Sequence, residues 1–321
     1  MKPLRIGTRG SALALWQANH VRERLVQLHG VEVEIIRIRT SGDNFSTVSI
    51  AQINAQLGAQ SGMKGIFIKE IEDALLAGTI DLAVHSMKDV PTEIPDGLTF
   101  TAVTKREDAR DCLISRNSRT LQHLPRGARI GTSSLRRQAQ LLHFRDDFQL
   151  ADLRGNVDTR LKKLAAGDYD AIVLAMAGVN RLGASGQITQ VLDTQTMLPA
   201  VGQGALGIET RVDDREVSQM AVSLDDAETR ACVTAERALL REMQGGCQIP
   251  LGAYARWQSG EVILEAAVFS PDGKESVRGE LTDLAATLKS AEEIGVRLAQ
   301  KLIARGADRI LHLAGRSTAQ S

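Results

Sequence analysis

The sequence predicts an α/β protein with two similar sets of strands and helices, followed by a smaller α+β domain. In the first two thirds of the chain, short apolar runs alternate with segments of helical period, which is typical of sheets with crossover helices. The tetrapeptide Arg-Ile-Gly-Thr occurs at 5–8 and again at 129–132, each time where a strand ends and a helix begins, which indicates two similar units. From about residue 226 the pattern changes to one long helix and three strand-like runs.

The first set is predicted from periodicity and from breaker residues. The predicted elements, in chain order, are strand 4–7, helix 13–28, strand 31–38, helix 66–76 and strand 80–85. Gly78 is expected just beyond the end of the second helix, where a left-handed residue is common. Residues 40–64 are rich in Gln, Ser, Ala and Gly and too long for an ordinary connection, so we expect a mobile lid over 44–61.

The second set and the C-terminal domain are predicted from the same signals. The second set has strands 112–115, 128–131, 148–152 and 171–174, and helices 134–144 and 157–166. A Pro/Gly-rich crossing over 198–204 follows this set and leads to a further strand, 205–210. The C-terminal domain has helix 228–243, strands 251–257, 262–269 and 276–280, helix 284–304 and a last strand near 309–313. This order predicts a separate, small α+β domain.

Composition limits the classes of function. The 321 residues suffice for two or three domains, and Lys plus Arg equals Asp plus Glu at 39 each, so no global field favours nucleic acid or an anionic membrane. No apolar run approaches the ~20 residues of a membrane span, and the N-terminus lacks a signal-peptide core. Three widely spaced cysteines and six histidines show no metal spacing. We therefore predict a cytoplasmic protein without a metal, and nothing indicates more than a monomer.

A candidate catalytic edge lies at the end of strand 80–85. His85, Ser86, Lys88 and Asp89 follow the apolar run within five residues, before Pro91. Ligands of open α/β sheets bind at the carboxyl ends of strands, so a carboxylate beside an ammonium there is a candidate for catalysis. The alternative is that Lys88 and Asp89 are a solvated surface pair.

Arginines cluster at comparable positions elsewhere in the chain. They lie near predicted strand ends or helix N-termini, and they are Arg9, Arg136, Arg137, Arg154, Arg160 and Arg181. A guanidinium can bind a carboxylate through two parallel hydrogen bonds, so this set, with Lys64 and Lys88, predicts a ligand with many carboxylates or phosphates. No phosphate-binding glycine motif is present, which disfavours a nucleotide. For any single arginine, a salt bridge within the protein is an equal alternative.

Cys247 differs from the other two cysteines. It follows Gly245-Gly246 in a predicted loop, where a bulky group can approach the backbone, whereas Cys112 and Cys232 fit buried apolar positions. A loop cysteine of this kind is a candidate nucleophile or a covalent attachment point.

Together with these residues, further motifs make the chain closely resemble the porphobilinogen deaminase family, also called the hydroxymethylbilane synthases, over essentially its whole length. The motifs that carry the resemblance lie at 7–17, 64–70, 84–91, 131–138, 153–157, 198–204 and 245–250. The resemblance implies two α/β domains like those of periplasmic binding proteins, facing a cleft, and a C-terminal α+β domain with the cysteine. The implied boundaries are 1–104 with 199–222, then 105–198, then 223–321.

The family's reaction is a stepwise condensation of four porphobilinogen molecules into hydroxymethylbilane, with release of four ammonia, in tetrapyrrole (porphyrin and haem) biosynthesis. Resemblance implies that this chain is such a transferase, primed by a dipyrromethane cofactor bound as a thioether to Cys247. Asp89 matches the catalytic aspartate. The implied cofactor-binding residues are Lys88, Ser133, Arg136, Arg137, Arg154 and Arg160. The implied substrate-binding residues are Arg9, Ser11, Lys64, Ser86 and Arg181.

The chain departs from the family in the predicted lid. Residues 44–61 are longer than usual, and Ser41, Gln60 and Met63 replace the arginine, lysine and glycine common there. These departures affect the lid's contacts with substrate rather than the reaction. Two other classes of function remain as alternatives: a non-enzymatic small-anion binding protein with a two-lobed cleft, and a cytosolic regulator. The sequence has no DNA-binding segment, which disfavours a regulator. The hypothesis of a binding protein does not explain Cys247.

Overall fold

The computed structural model describes residues 2–40, 68–243 and 249–312. These residues form two compact units. The first unit comprises the described residues up to Arg106 together with Ala205–Arg230. The second unit comprises Glu107–Gly204 together with the described residues from Ala231 onward. The three domain boundaries implied by resemblance remain predictions.

The first unit is built on a five-stranded sheet. Its strands are β1 (Leu4–Thr8), β2 (Val33–Arg37), β3 (Leu82–Ser86), β4 (Leu98–Val103) and β10 (Leu206–Arg211). The sheet order is β2-β1-β3-β10-β4, in which β1 is parallel to β2 and β3, and β10 is antiparallel to β3 and β4. Its helices are α1 (Ala12–His29), α2 (Lys69–Leu76) and α6 (Arg215–Val222).

Local sequence accounts for the packing in this unit. Ser11 caps α1 by accepting the Ala14 N–H at 3.3 Å, and Val21 and Leu25 of α1 are buried one turn apart. These two side chains pack with the apolar residues of β1 and β3 in one core. As predicted, Gly78 lies beyond the end of α2 with φ +65°, where a side chain would be strained.

The second unit contains a sheet with the same arrangement. Its strands are β5 (Asp111–Ser115), β6 (Arg129–Gly131), β7 (Gln149–Ala151), β8 (Ala171–Ala175) and β9 (Gln190–Val191). The order is β7-β6-β8-β5-β9, with β6 parallel to both neighbours and β5 antiparallel to β8. Its helices are α3 (Leu135–Phe144), α4 (Val157–Ala166) and α5 (Met176–Arg181). The predicted pair of similar α/β sets is confirmed.

The second unit also contains the smaller α+β domain. Strands β11 (Leu251–Gln258), β12 (Glu261–Phe269) and β13 (Ser276–Leu284) form an antiparallel meander. Helices α7 (Ala227–Glu242) and α8 (Leu288–Ala304) bury their apolar faces in its core, which includes Leu239, Leu264 and Leu298. The predicted fold class, two α/β domains and a C-terminal α+β domain, is therefore confirmed.

Two predicted elements of this domain were wrong. The strand near 309–313 is instead helical over 307–312. Ala307 and Ile310, three residues apart, are both buried in the core, so tertiary packing favours a helix there. The helix predicted from 284 begins only at Leu288, because β13 continues its pairing with β12 as far as Leu284. The predicted lid over 44–61 lies outside the described residues.

Candidate functional site

The predicted residues of the first unit meet at one edge of its sheet. Arg9 and Ser11 follow β1, and Ser86 ends β3, the parallel neighbour of β1. The side chain of Gln17 on α1 donates from Nε2 to the Ser86 Oγ at 2.9 Å, which ties the start of α1 to the end of β3. These elements gather the substrate-binding candidates at the carboxyl ends of parallel strands, where ligands of such sheets bind.

Asp89 lies at the same edge, directly after β3. It is the last residue of a 3₁₀ turn, Met87–Asp89, in which Met87 is buried, Lys88 is partly buried and Asp89 is exposed. Among the described residues, the Asp89 carboxylate has no hydrogen-bond or ion-pair partner. A ligand can therefore bind this carboxylate without displacing a protein group.

The predicted residues of the second unit also meet at one sheet edge. Ser133 follows β6 and Arg154 follows β7, and these strands are parallel neighbours. The Ser133 hydroxyl accepts the Leu153 N–H and donates to the Leu153 carbonyl, both at 3.0 Å, so it joins the two strand ends. This edge carries Ser133 and Arg154, two of the cofactor-binding candidates.

Arg136 and Arg137, in the first turn of α3, are buried rather than exposed at this edge. Both bind Asp111, the first residue of β5: Arg136 Nη1 lies 2.7 Å from Oδ2, and Arg137 Nη2 lies 2.7 Å from Oδ1. Arg136 also donates to the Leu198 carbonyl and Arg137 to the Val173 carbonyl. Their proposed contacts with a cofactor remain predictions, and any such contact must share the guanidinium groups with these partners.

Asp111 is the centre of this buried group. Complete burial raises the pKa of Asp111, but the charges of Arg136 and Arg137 and their hydrogen bonds together hold that pKa well below its usual value. Gln203 adds a further hydrogen bond from Nε2 to Asp111 Oδ1 at 3.0 Å. Two arginines and one aspartate give this group an excess positive charge, which favours an anionic ligand nearby.

The other predicted arginines of the second unit are partly buried. Arg160 donates from Nε to the Gly155 carbonyl at 2.8 Å, in the loop that carries Arg154. Arg181 is the last residue of α5 and donates from Nη2 to the Gly204 carbonyl at 2.8 Å. Burial lowers the pKa of Arg181 to about 10, so its guanidinium is still charged at neutral pH. Each guanidinium is therefore held by a backbone carbonyl while its side chain stays partly exposed.

Two predicted site residues, Lys64 and Cys247, lie outside the described residues. The other cysteines, Cys112 and Cys232, are buried as predicted and form no disulfide among the described residues, and burial raises the pKa of Cys112 to about 12. In the described part of the chain, no group of three His, Cys, Asp or Glu side chains could hold a metal ion. None of the described helices is long and apolar enough to cross a membrane.

A partly buried carboxyl on α2 makes stability depend on pH. Burial and then the negative charge of Glu209 raise the pKa of Glu72 from 4.5 to about 7, although His85 opposes the rise. A carboxyl with a raised folded-state pKa destabilises the fold as pH rises from about 4.5 to 7, because the unfolded chain ionises first.

We predict that the melting temperature of the wild type falls over this window relative to Glu72→Gln. Thermal unfolding followed by circular dichroism from pH 4.5 to 8 tests this. Glu23→Gln, on the exposed face of α1, is the control and should follow the wild type. Parallel curves for the wild type and Glu72→Gln would contradict the prediction.

Family models match nearly the whole chain. The model described as "Porphobilinogen deaminase, dipyromethane cofactor binding domain" matches residues 4–219, and that described as "Porphobilinogen deaminase, C-terminal domain" matches residues 230–304. Among solved structures, a periplasmic substrate-binding protein from Coxiella burnetii is 14% identical, with a TM-score of 0.40, over 69% of this chain and 91% of that chain.

Curated relatives match at much higher identity. Porphobilinogen deaminase from Chlorobium phaeobacteroides strain BS1 is 48% identical over 97% of this chain and 97% of that protein. The enzyme of the same name from Pelobacter propionicus is 47% identical over 97% of this chain and 96% of that protein. The chain therefore belongs to the porphobilinogen deaminase family.

Proposed function

We propose that this chain condenses four porphobilinogen molecules, one after another, into hydroxymethylbilane and releases four molecules of ammonia. Its primer is a dipyrromethane bound as a thioether to Cys247. The observation that carries the proposal is the exposed Asp89 carboxylate at the end of β3, without a protein partner among the described residues, in a chain of this family. The arginine and lysine side chains near the strand ends also support the proposal.

The described residues fit a dipyrromethane and its extended chain by charge. Each porphobilinogen carries an acetate and a propionate, so an oligopyrrole is a row of carboxylate pairs with pyrrole N–H donors. Arginines bind carboxylates, and a carboxylate accepts from N–H groups. We assign Arg136, Arg137, Arg154 and Arg160 to the cofactor and growing chain, with Lys88 and Ser133 assisting.

Asp89 has the catalytic role in this proposal. Loss of ammonia from porphobilinogen leaves a positive charge on the substrate, and a preorganised negative charge close to it lowers the barrier. The Asp89 carboxylate also accepts hydrogen bonds from pyrrole N–H groups and so orients the rings. When bound, the dipyrromethane supplies the pyrrole carbon on which the first substrate condenses.

The incoming substrate is bound by a second group of side chains. Arg9, with Ser11 and Ser86 at the edge of the first unit's sheet, binds its carboxylates. We assign Arg181 and Lys64 to the same task. Because Ser11 caps α1 and Ser86 accepts from Gln17, both hydroxyls are held in place before substrate arrives.

The proposal also covers the cellular location, the oligomeric state and the domain boundaries of the protein. We propose a cytoplasmic monomer that binds no nucleic acid, which is supported by the equal numbers of basic and acidic residues and by three widely spaced cysteines in the sequence. We retain the three domains 1–104 with 199–222, 105–198 and 223–321 on resemblance alone.

Stoichiometry tests the proposed function. The purified protein is incubated with porphobilinogen, and porphobilinogen consumption and ammonia release are followed together. We expect one ammonia per porphobilinogen and four per tetrapyrrole formed. Saturable porphobilinogen binding without ammonia release would instead support the small-anion binding protein.

A further inference from the structure

A buried hydrogen-bonded pair lies beside the strand end that leads to Asp89. His85 is the next-to-last residue of β3, and its Nε2–H donates to Oε2 of Glu209 on β10 at 3.0 Å. Both side chains are buried, at 4% and 0% exposure. In the antiparallel register, His85 lies opposite Gly207 and Glu209 lies opposite Ala83, so the pair crosses the two strands diagonally.

Stability alone does not account for this pair. Glu209 Oε1 is buried and has no hydrogen-bond partner among the described residues. Burial of a carboxylate with one oxygen unpaired is unfavourable, and apolar residues of similar volume often replace buried ion pairs without loss. Burial and then this same negative charge raise the pKa of Glu72, a second carboxyl close to the pair. A role other than stability therefore explains better why a polar pair with one unpaired oxygen is buried here.

The packing around the pair leads directly to the turn that carries Asp89. The Phe100 ring meets the His85 ring edge-on, with centroids 5.9 Å apart. A Cβ on Gly207 would lie 2.3 Å from the Met87 sulfur and 2.7 Å from the Phe100 ring, so these side chains fill the space beside His85. Met87 begins the turn, and its N–H donates to the Ala205 carbonyl at 3.0 Å. Movement of His85 would therefore disturb the turn.

We propose that the hydrogen bond between His85 and Glu209 holds the turn Met87–Asp89 in place and thereby positions the Asp89 carboxylate for reaction. His85 and Glu209 are positioning residues, since they are buried and act through Met87. The catalytic consequence rests on the proposed function. A displacement of a reacting group by about 1 Å can reduce a rate ~10²-fold, so a modest shift is sufficient.

The test is the double variant His85→Phe/Glu209→Leu. It replaces both partners with apolar side chains of similar size, so the fold should be retained. We expect kcat to fall by about 10- to 100-fold, with KM within about twofold and the dipyrromethane content unchanged. Glu209→Gln keeps an acceptor oxygen for His85 and should retain most of the activity.

Thr210→Val is the matched control, because Thr210 is the next residue of β10 and its buried hydroxyl bonds Thr101 at 2.6 Å. It should lower stability without lowering kcat. Wild-type kcat in the double variant would overturn the proposal. If the double variant does not fold, Glu209→Ala takes its place. A kcat that falls in Glu209→Ala but not in Glu209→Gln supports the positioning role. An unchanged kcat in Glu209→Ala overturns the proposal.

The two proposals fail in distinguishable ways. A wild type that releases no ammonia contradicts the proposed function. In that case, amide hydrogen exchange decides the positioning claim without any activity: faster exchange over 86–90 in Glu209→Ala than in Glu209→Gln supports it, and equal exchange overturns it. Normal ammonia release by both the wild type and the double variant contradicts the positioning claim alone.

Discussion

Replacing Asp89 with asparagine should lower kcat at least ~10²-fold while the protein keeps its fold and its dipyrromethane. The carboxylate is exposed and has no partner among the described residues, so its loss leaves no protein group unpaired. What is lost is the negative charge that stabilises the cation formed from the substrate. Steady-state ammonia release and intact mass, measured on the same preparation, separate turnover from cofactor content.

Asp89→Glu should retain more activity than Asp89→Asn, because the charge survives in a displaced position. Asp96→Asn is the control, since Asp96 is another exposed aspartate of the first unit, and it should turn over like the wild type. Near-normal turnover by Asp89→Asn would remove Asp89 from the catalytic role.

Replacing Arg136 with alanine should give a protein without bound pyrrole. The change removes a buried positive charge and its bonds to Asp111 and the Leu198 carbonyl. Breaking a buried pair typically destabilises by about 3–5 kcal/mol, but Arg137 and Gln203 still bind Asp111, so we expect a smaller loss and a folded protein. Intact mass and a thermal melt measure the two effects separately.

Arg145→Ala is the matched control for this variant. Arg145 caps the same helix, pairs with Asp147 and lies over the Phe148 ring, away from the strand ends. It should lose some stability and keep the dipyrromethane. An Arg136→Ala protein that carries a full complement of dipyrromethane would contradict the cofactor-binding assignment.

The sequence was sufficient to predict the edges on which the candidate site is built. Arg-Ile-Gly-Thr ends β1 and β6, and the two strands occupy equivalent places in sheets of the same order. Short buried strands and capped helices are local features, so their positions could be read from local patterns. The strand ends then follow, and with them the positions of Asp89 and Arg154.

Long-range partners could not be predicted in this way. Asp111 lies 25 and 26 residues before the two arginines that it binds, and nothing in its neighbours indicates that it meets them. The pairing of His85 with Glu209 spans 124 residues and depends on β10 returning to the first sheet. A buried acid at the start of an apolar strand was the signal available for Asp111.

The secondary-structure predictions that failed also involve long-range contacts. The segment after α8 alternates like a strand, but the core of the C-terminal domain selects a helix by burying Ala307 and Ile310. Strand β4 was missed because its partner, β10, comes more than 100 residues later in the chain. In both cases tertiary contacts decide the structure that local pattern leaves open.

Intact mass spectrometry of the purified wild type beside Cys247→Ser tests the central claim most directly. Cys112→Ser, which removes a buried free thiol, is the control. We predict that the wild type and Cys112→Ser exceed their sequence masses by one dipyrromethane and colour with Ehrlich's reagent, whereas Cys247→Ser does neither. A wild type at its sequence mass that gives no colour and consumes no porphobilinogen would contradict the account.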